Sequence, residues 1–185
     1  MDDRLLLEQY LHSGSDTAFA ELIKRYQDLV YSAALRQVRD PHLASDVAQT
    51  VFLCVARKAG ALLQEQVLAG WLCRATRFES LKVLRERRRR ADRDLAFACD
   101  AQGGEPASGV RLEDAITPEL DAALDALRPR DRDALVLRFL QSKSLREIAT
   151  ALGVSEDAAQ KRLERAMDRL RAQLRRRGLP VSAAA

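Results

Sequence analysis

Apolar residues recur every three to four positions over long stretches of this chain, which is the period of one helix face. Phe19, Leu22, Ile23, Tyr26, Val30, Ala33, Ala34 and Val38 predict a helix over 17–39, capped by Ser15 or Asp16. A shorter helix over 2–12 precedes it, and SGSD separates the two. Asp40-Pro41 restarts the chain as cap and first helical residue. Leu43, Val47, Val51 and Val55 then predict a helix over 41–58, ended by Gly60. Residues 60–68, GALLQEQVL, carry no clear period and read as a structured loop. A fourth helix over 69–94 puts Trp71, Leu72, Ala75, Phe78 and Leu81 on its core side and ends in a run of arginines.

The pattern then stops. AFACDAQGGEPASGVRLEDAI mixes Gly-Gly, Pro, Ser-Gly and acidic residues without periodicity, which marks a linker. Periodicity resumes at Thr117-Pro118, read as a helix start. Helices over 117–127 and 129–141 follow, and Ser144-Leu-Arg-Glu147 matches a capping box opening a third. Leu145, Ile148, Ala149 and Leu152 face inward. Gly153 is placed for the left-handed turn after a helix, and Ser155 caps a fourth. Ala159, Leu163, Ala166, Met167, Leu170 and Leu174 form its apolar stripe. The expected architecture is all-α. It has a helical domain over 1–95, an acidic flexible linker over 96–116 and a second helical domain over 117–185.

Helix, glycine-containing turn, helix is the helix-turn-helix arrangement, whose second helix enters the DNA major groove by its N-terminal half. Removing the buried stripe leaves Gln160, Lys161, Glu164 and Arg165 outward, with Arg162 at the edge. Gln can pair with adenine, Arg or Lys with guanine, and Glu can accept from cytosine. Arg169, Arg171, Arg175, Arg176 and Arg177, further along, suit phosphate or solvent.

Charge sharpens this picture. The chain has a formal net charge of only +4, but residues 71–93 carry nine basic and three acidic side chains, and residues 128–185 carry fourteen basic and seven acidic. Between them, residues 94–127 carry eight acidic side chains and one arginine. Two basic blocks around an acidic segment suit two contacts with a polyanion. On the first block Arg74, Arg77, Lys82, Arg85 and Arg89 recur along one helical face. Trp71 and Phe78 lie nearby, although their spacing also fits the core.

Other classes lose support. No apolar run reaches the length of a membrane span, and the acidic start MDDRLLLEQY is not a signal peptide, so a cytoplasmic protein is expected. The three cysteines are widely spaced, and with only two histidines no metal-ligand pattern forms. No phosphate loop or nucleophile–histidine set is present, so neither a cofactor nor an enzyme is expected.

Taken together, the chain resembles bacterial RNA polymerase sigma factors of the extracytoplasmic-function (ECF) type. DPHLASDVAQTVFL resembles the family's polymerase-docking helix, with its Asp–x–x–Gln–x–x–Phe core. GWLCRATRFESLKVLRERRRR resembles the helix that opens and reads the minus-ten promoter element. ALRPRDRDALVLRFLQSKSLREIATALGVSEDAAQKRLERAMDRLR resembles the domain that reads the minus-thirty-five element. The resemblance implies that Asp46, Gln49 and Thr50 contact core RNA polymerase. It implies that Arg74, Arg77, Lys82, Arg85 and Arg89 serve the minus-ten element, and Gln160, Lys161, Arg162, Glu164 and Arg165 the minus-thirty-five element. Gly60 to Leu68 matches the loop that captures a base flipped from the non-template strand. Promoter DNA and an anti-sigma factor are the implied further partners. Relatives often carry Asn where Phe78 sits and Asp where Lys82 sits. The alternative from the residues alone is a free-standing helix-turn-helix transcriptional regulator, which would bind duplex DNA without polymerase.

Overall fold

A computed structural model describes residues 2–65, 67–98 and 112–179 of the chain. The described residues are overwhelmingly helical, without a strand among them. The helices are α1 (Asp3–Ser13), α2 (Asp16–Val38), α3 (Pro41–Leu62), α4 (Leu68–Ala98), α5 (Leu112–Asp125), α6 (Pro129–Leu135), α7 (Leu145–Leu152) and α8 (Glu156–Arg176).

The starts follow the capping chemistry in the sequence. Ser15 accepts a hydrogen bond from the Ala18 N–H at 3.3 Å and opens α2. Asp40 accepts from His42 and Leu43 N–H at 3.0 and 3.2 Å, with Pro41 as first helical residue of α3. Those backbone bonds, Leu43's first, hold the Asp40 carboxyl below its usual range.

α1 to α4 form the N-terminal half. Leu6, Leu7, Leu22, Val30, Val47, Val51, Val55 and Leu72 are almost wholly buried at its centre. Each such side chain contributes about 1.5–3 kcal/mol of transfer free energy. In the C-terminal half, α8 lies against α5, α6 and α7. The stripe along α8 divides its work. Ala159 joins a cluster with Ile148, Ala149 and Leu152, while Ala166 and Leu170 pack with Ala123, Leu127 and Leu135.

Several boundaries differ from the sequence expectation. Gly60 does not end α3. The helix continues to Leu62 because Ala59 and Leu62 are both buried, and that packing outweighs the modest helix penalty of an exposed glycine. The following loop is therefore short, and Val67 and Leu68 are buried rather than open. α5 begins at Leu112 and runs through Pro118, so Thr117 is not its cap. The stretch expected as one helix over 129–141 changes pitch. After Leu135 it continues as a π-helical turn over Val136–Leu140, closed by Gln141 N–H on the Val136 carbonyl at 3.1 Å. Helix enters both ends of the expected 96–116 linker. Its middle, with Cys99, lies outside the described residues.

The two halves share one apolar core. Ala134, Val136, Leu137, Ile148, Ala149 and Leu152 belong to the same cluster as the centre of α1–α4. Tyr26 of α2 hydrogen-bonds Asp3 and also meets Gln141 beyond the π turn; burial, reinforced by the Asp3 charge, raises its phenol.

Candidate nucleic-acid interface

The helix-turn-helix is built as its caps require. The Ser144 hydroxyl accepts from Glu147 N–H at 3.3 Å, and the Glu147 carboxylate accepts from Ser144 N–H at 2.8 Å. The Ser144 N–H, then the Ser144 hydroxyl, which donates to the same carboxylate at 2.8 Å, and Lys143 at 3.0 Å lower the Glu147 carboxyl to about 2. Gly153 closes α7 at φ 62°, the left-handed conformation that a glycine adopts without Cβ cost. Ser155 then accepts from Ala158 N–H at 3.3 Å and opens α8.

On α8 the outward residues separate into two groups. Gln160, Lys161, Glu164 and Arg165 are exposed. Gln160 donates to Glu164 at 3.1 Å, and Arg165 Nε donates to the Lys161 carbonyl at 3.0 Å, so the four lie together along one face. Arg162 turns the other way. It lies 3.5 Å from Asp131, which is only 4% exposed and also pairs with Arg169. The Arg162 guanidinium is thus spent inside the C-terminal half.

α4 presents the second cationic surface. Leu72, Thr76 and Ser80, at four-residue spacing, are fully buried, which fixes the helix rotation. The Thr76 hydroxyl donates to the Leu72 carbonyl at 2.8 Å. Arg74, Lys82, Arg85 and Arg89 are exposed. Phe78 is also outside, at 63% exposure, against the expectation that it lies on the core side. The inward positions belong to Thr76 and Ser80, which a hydrophobicity pattern counts as polar. Trp71 is half-buried against the core.

Arg77 is half-buried and faces the other half of the molecule, 3.3 Å from Asp125 of α5. Asp125 also lies 3.9 Å from Arg132. One turn earlier, Asp121 accepts from Gln37 Nε2 at 2.5 Å and lies 3.4 Å from Arg36. These acidic residues belong to the acidic segment that separates the two basic blocks of the sequence. Nothing in local sequence pairs them with α2 and α4; the contact arises only from the packing of the halves. Nearby, Gly70 meets Asp133 so closely that a Cβ there would overlap its carboxylate. Burial, aided by Glu65 and opposed by Arg132 and Arg74, raises the Asp133 carboxyl to about 6.

On α3, Asp46 and Gln49 are exposed and Thr50 is half-buried, its hydroxyl donating to the Asp46 carbonyl at 2.8 Å. They lie on the face away from Val47, Val51 and Val55, beside exposed Leu53. Among the described residues no group of His, Cys, Asp and Glu could hold a metal, and no helix is long and apolar enough to cross a membrane. Cys54 and Cys73 are free thiols, and burial raises Cys73 to about 12.

These two cationic helices coincide with two family matches. Sigma-70 region 2 matches residues 22–90, and Sigma-70 region 4 matches residues 118–170. RNA polymerase sigma factor CarQ of Myxococcus xanthus is 31% identical over 160 residues, covering 85% of this chain and 90% of CarQ. ECF RNA polymerase sigma factor SigE of Mycolicibacterium smegmatis is 31% identical over 82% of this chain. A probable RNA polymerase sigma factor, RfaY of Xanthomonas campestris, is 29% identical over 95% of this chain. The chain spans 59% of SigE and 45% of RfaY. It belongs to the RNA polymerase sigma factors, of the ECF type.

Proposed function

We propose that this chain binds core RNA polymerase and directs promoter-specific transcription initiation, as a specificity subunit rather than a catalyst. The observation that carries the reading is the placement of the two family matches. Region 2 falls on the half bearing the cationic helix α4, and region 4 on the half bearing the helix-turn-helix. In this reading Asp46, Gln49 and Thr50 dock on polymerase. Arg74, Lys82, Arg85 and Arg89 hold the minus-ten DNA, and Arg77 joins them once it leaves Asp125. Gln160, Lys161, Glu164 and Arg165 read the minus-thirty-five element, and Arg162 steadies the helix that carries them. The protein works in the cytoplasm, and an anti-sigma factor is the regulatory partner that its family membership proposes.

The test is affinity for core polymerase. Asp46→Ala with Gln49→Ala should weaken binding at least about tenfold, because docking contacts near an interface centre often exceed 1 kcal/mol each. Unchanged affinity would refute the docking assignment.

A further inference from the structure

The contact between the two halves encloses a cavity of about 20 Å³, walled by α2 and α4 on one side and by α5, α6 and the π-helical turn on the other. Arg36, Arg74, Arg77 and Arg132 line it together with Asp121 and Asp125. Both carboxylates are already engaged. Asp121 takes Arg36 and Gln37. Asp125 lies 3.3 Å from Arg77 through one oxygen and 3.9 Å from Arg132 through the other. Each of these two arginines meets Asp125 through a terminal nitrogen, which leaves its Nε–H as a separate donor. Both Nε atoms are buried, and neither has an acceptor among the described residues. Arg132 as a whole is only 5% exposed.

A buried charge is ordinarily paired and hydrogen-bonded. Among the described residues Arg132 has one ion pair, and its 3.9 Å lies beyond hydrogen-bond range. The cavity itself says what would complete the pairing. The two unmatched groups are donors, so the guest must accept. Four guanidiniums line the cavity against two carboxylates. Counting Asp133 as well, which faces Arg132 and Arg74 from beyond the lining, still leaves one positive charge in excess. The guest is therefore negative. The space suits one atom-sized guest, since a single water needs about 10–15 Å³ on such a measure, and an oxyanion of five heavy atoms does not fit. A water could accept the same two bonds, but it would leave the excess charge unmatched.

We propose that this cavity binds one halide-sized anion, which accepts from Arg77 Nε and Arg132 Nε and ties α4 of the N-terminal half to α6 of the C-terminal half. The site belongs to the free chain and does not rest on the promoter-directing reading. Because its donors come from both halves, the anion is released when they part, and it favours their closed arrangement while bound.

The experiment unfolds the full chain with urea in mixtures of sodium chloride and sodium gluconate at fixed ionic strength, gluconate being too large for the cavity. Above the midpoint of binding, each tenfold rise in chloride should raise the folded-to-unfolded ratio about tenfold, the slope for one bound ion. Arg132→Met and Arg77→Met should bring that slope close to zero. Arg130→Met, which removes an exposed arginine outside the cavity, should keep it. Wild-type crystals grown in sodium bromide should show an anomalous peak in contact with both Nε atoms, a readout that needs no variant to fold.

Stability indifferent to the exchange of chloride for gluconate would overturn the proposal, as would the same chloride slope in wild type and Arg132→Met. Bromide peaks confined to the surface, an adventitious ion only, would overturn it too, as would a water bridging the two Nε atoms in the presence of bromide.

Discussion

Arg77 of α4 lies 3.3 Å from the Asp125 carboxylate of α5, so a side chain on the cationic helix is held by the chain's own acidic segment. Asp121 makes the matching contact one turn earlier, to Arg36 and Gln37. The two carboxylates thus pair with side chains of α2 and α4 across the contact between the halves. Half-exposed ion pairs contribute about 0.2–1 kcal/mol each, and the shared apolar core adds to them. Either Asp121→Ala or Asp125→Ala alone should therefore shift the balance less than about fivefold. The double substitution should lengthen the mean distance between fluorophores placed on α3 and α8, and raise the free chain's affinity for single-stranded DNA a few-fold. An unchanged distance with unchanged affinity would show that the apolar contact alone holds the halves together.

Asp133 makes the same contact pH-sensitive. Its carboxyl is raised to about 6 by burial, against an ordinary 3.8. Between these values the folded state binds more protons than the unfolded one, so this group's contribution is fully present below about 4 and is lost as pH rises through 6. The amount is of order 1–3 kcal/mol. Asp133→Asn should remove that slope, measured as the difference in urea midpoint between variant and wild type from pH 4.5 to 7.5. Gly70→Ala should flatten it too, because the added Cβ displaces the carboxylate from its buried site.

Glu147 carries the opposite sign. Its carboxyl is lowered to about 2 by the Ser144 N–H, so its contribution is present above about 4.5 and is lost as pH falls toward 2. Ser144→Ala removes the other side of the box and should cost about 1 kcal/mol. Hydrogen exchange should rise first in α7, and duplex binding should fall with it.

Arg162 and Arg165 are neighbours in sequence with separable effects. Arg165→Ala should weaken upstream promoter binding, by about 1–3 kcal/mol if it reads a base, and leave the melting temperature unchanged. Arg162→Ala should cost about 1–3 kcal/mol of stability, because buried Asp131 then keeps only Arg169. Thermal melts and fragment affinities on both variants check this. Equal stability in the two would contradict the inward placement of Arg162.

What the sequence made legible was local. The capping box at Ser144, the turn at Gly153 and the α8 stripe follow from residue chemistry within a few positions, and each is present as expected. Periodicity puts Phe78 inside because it weighs Phe as core and Thr76 and Ser80 as surface, whereas the burial of Leu72 with its one-turn neighbours sets the rotation. Gly60 reads as a stop in sequence because tertiary burial of Leu62 does not show in a local window. The pairing of Asp121 and Asp125 with α2 and α4 depends on residues 48 to 85 positions apart, beyond any local pattern.

The central claim is that this chain confers promoter choice on polymerase. The direct measurement is transcription in vitro with sigma-free bacterial core polymerase and a pool of promoter fragments, with the transcripts sequenced. The account predicts initiation that requires the protein, from fragments sharing one downstream and one upstream element. Sequence-specific duplex binding by the protein alone, with no initiation by the mixture, would contradict it.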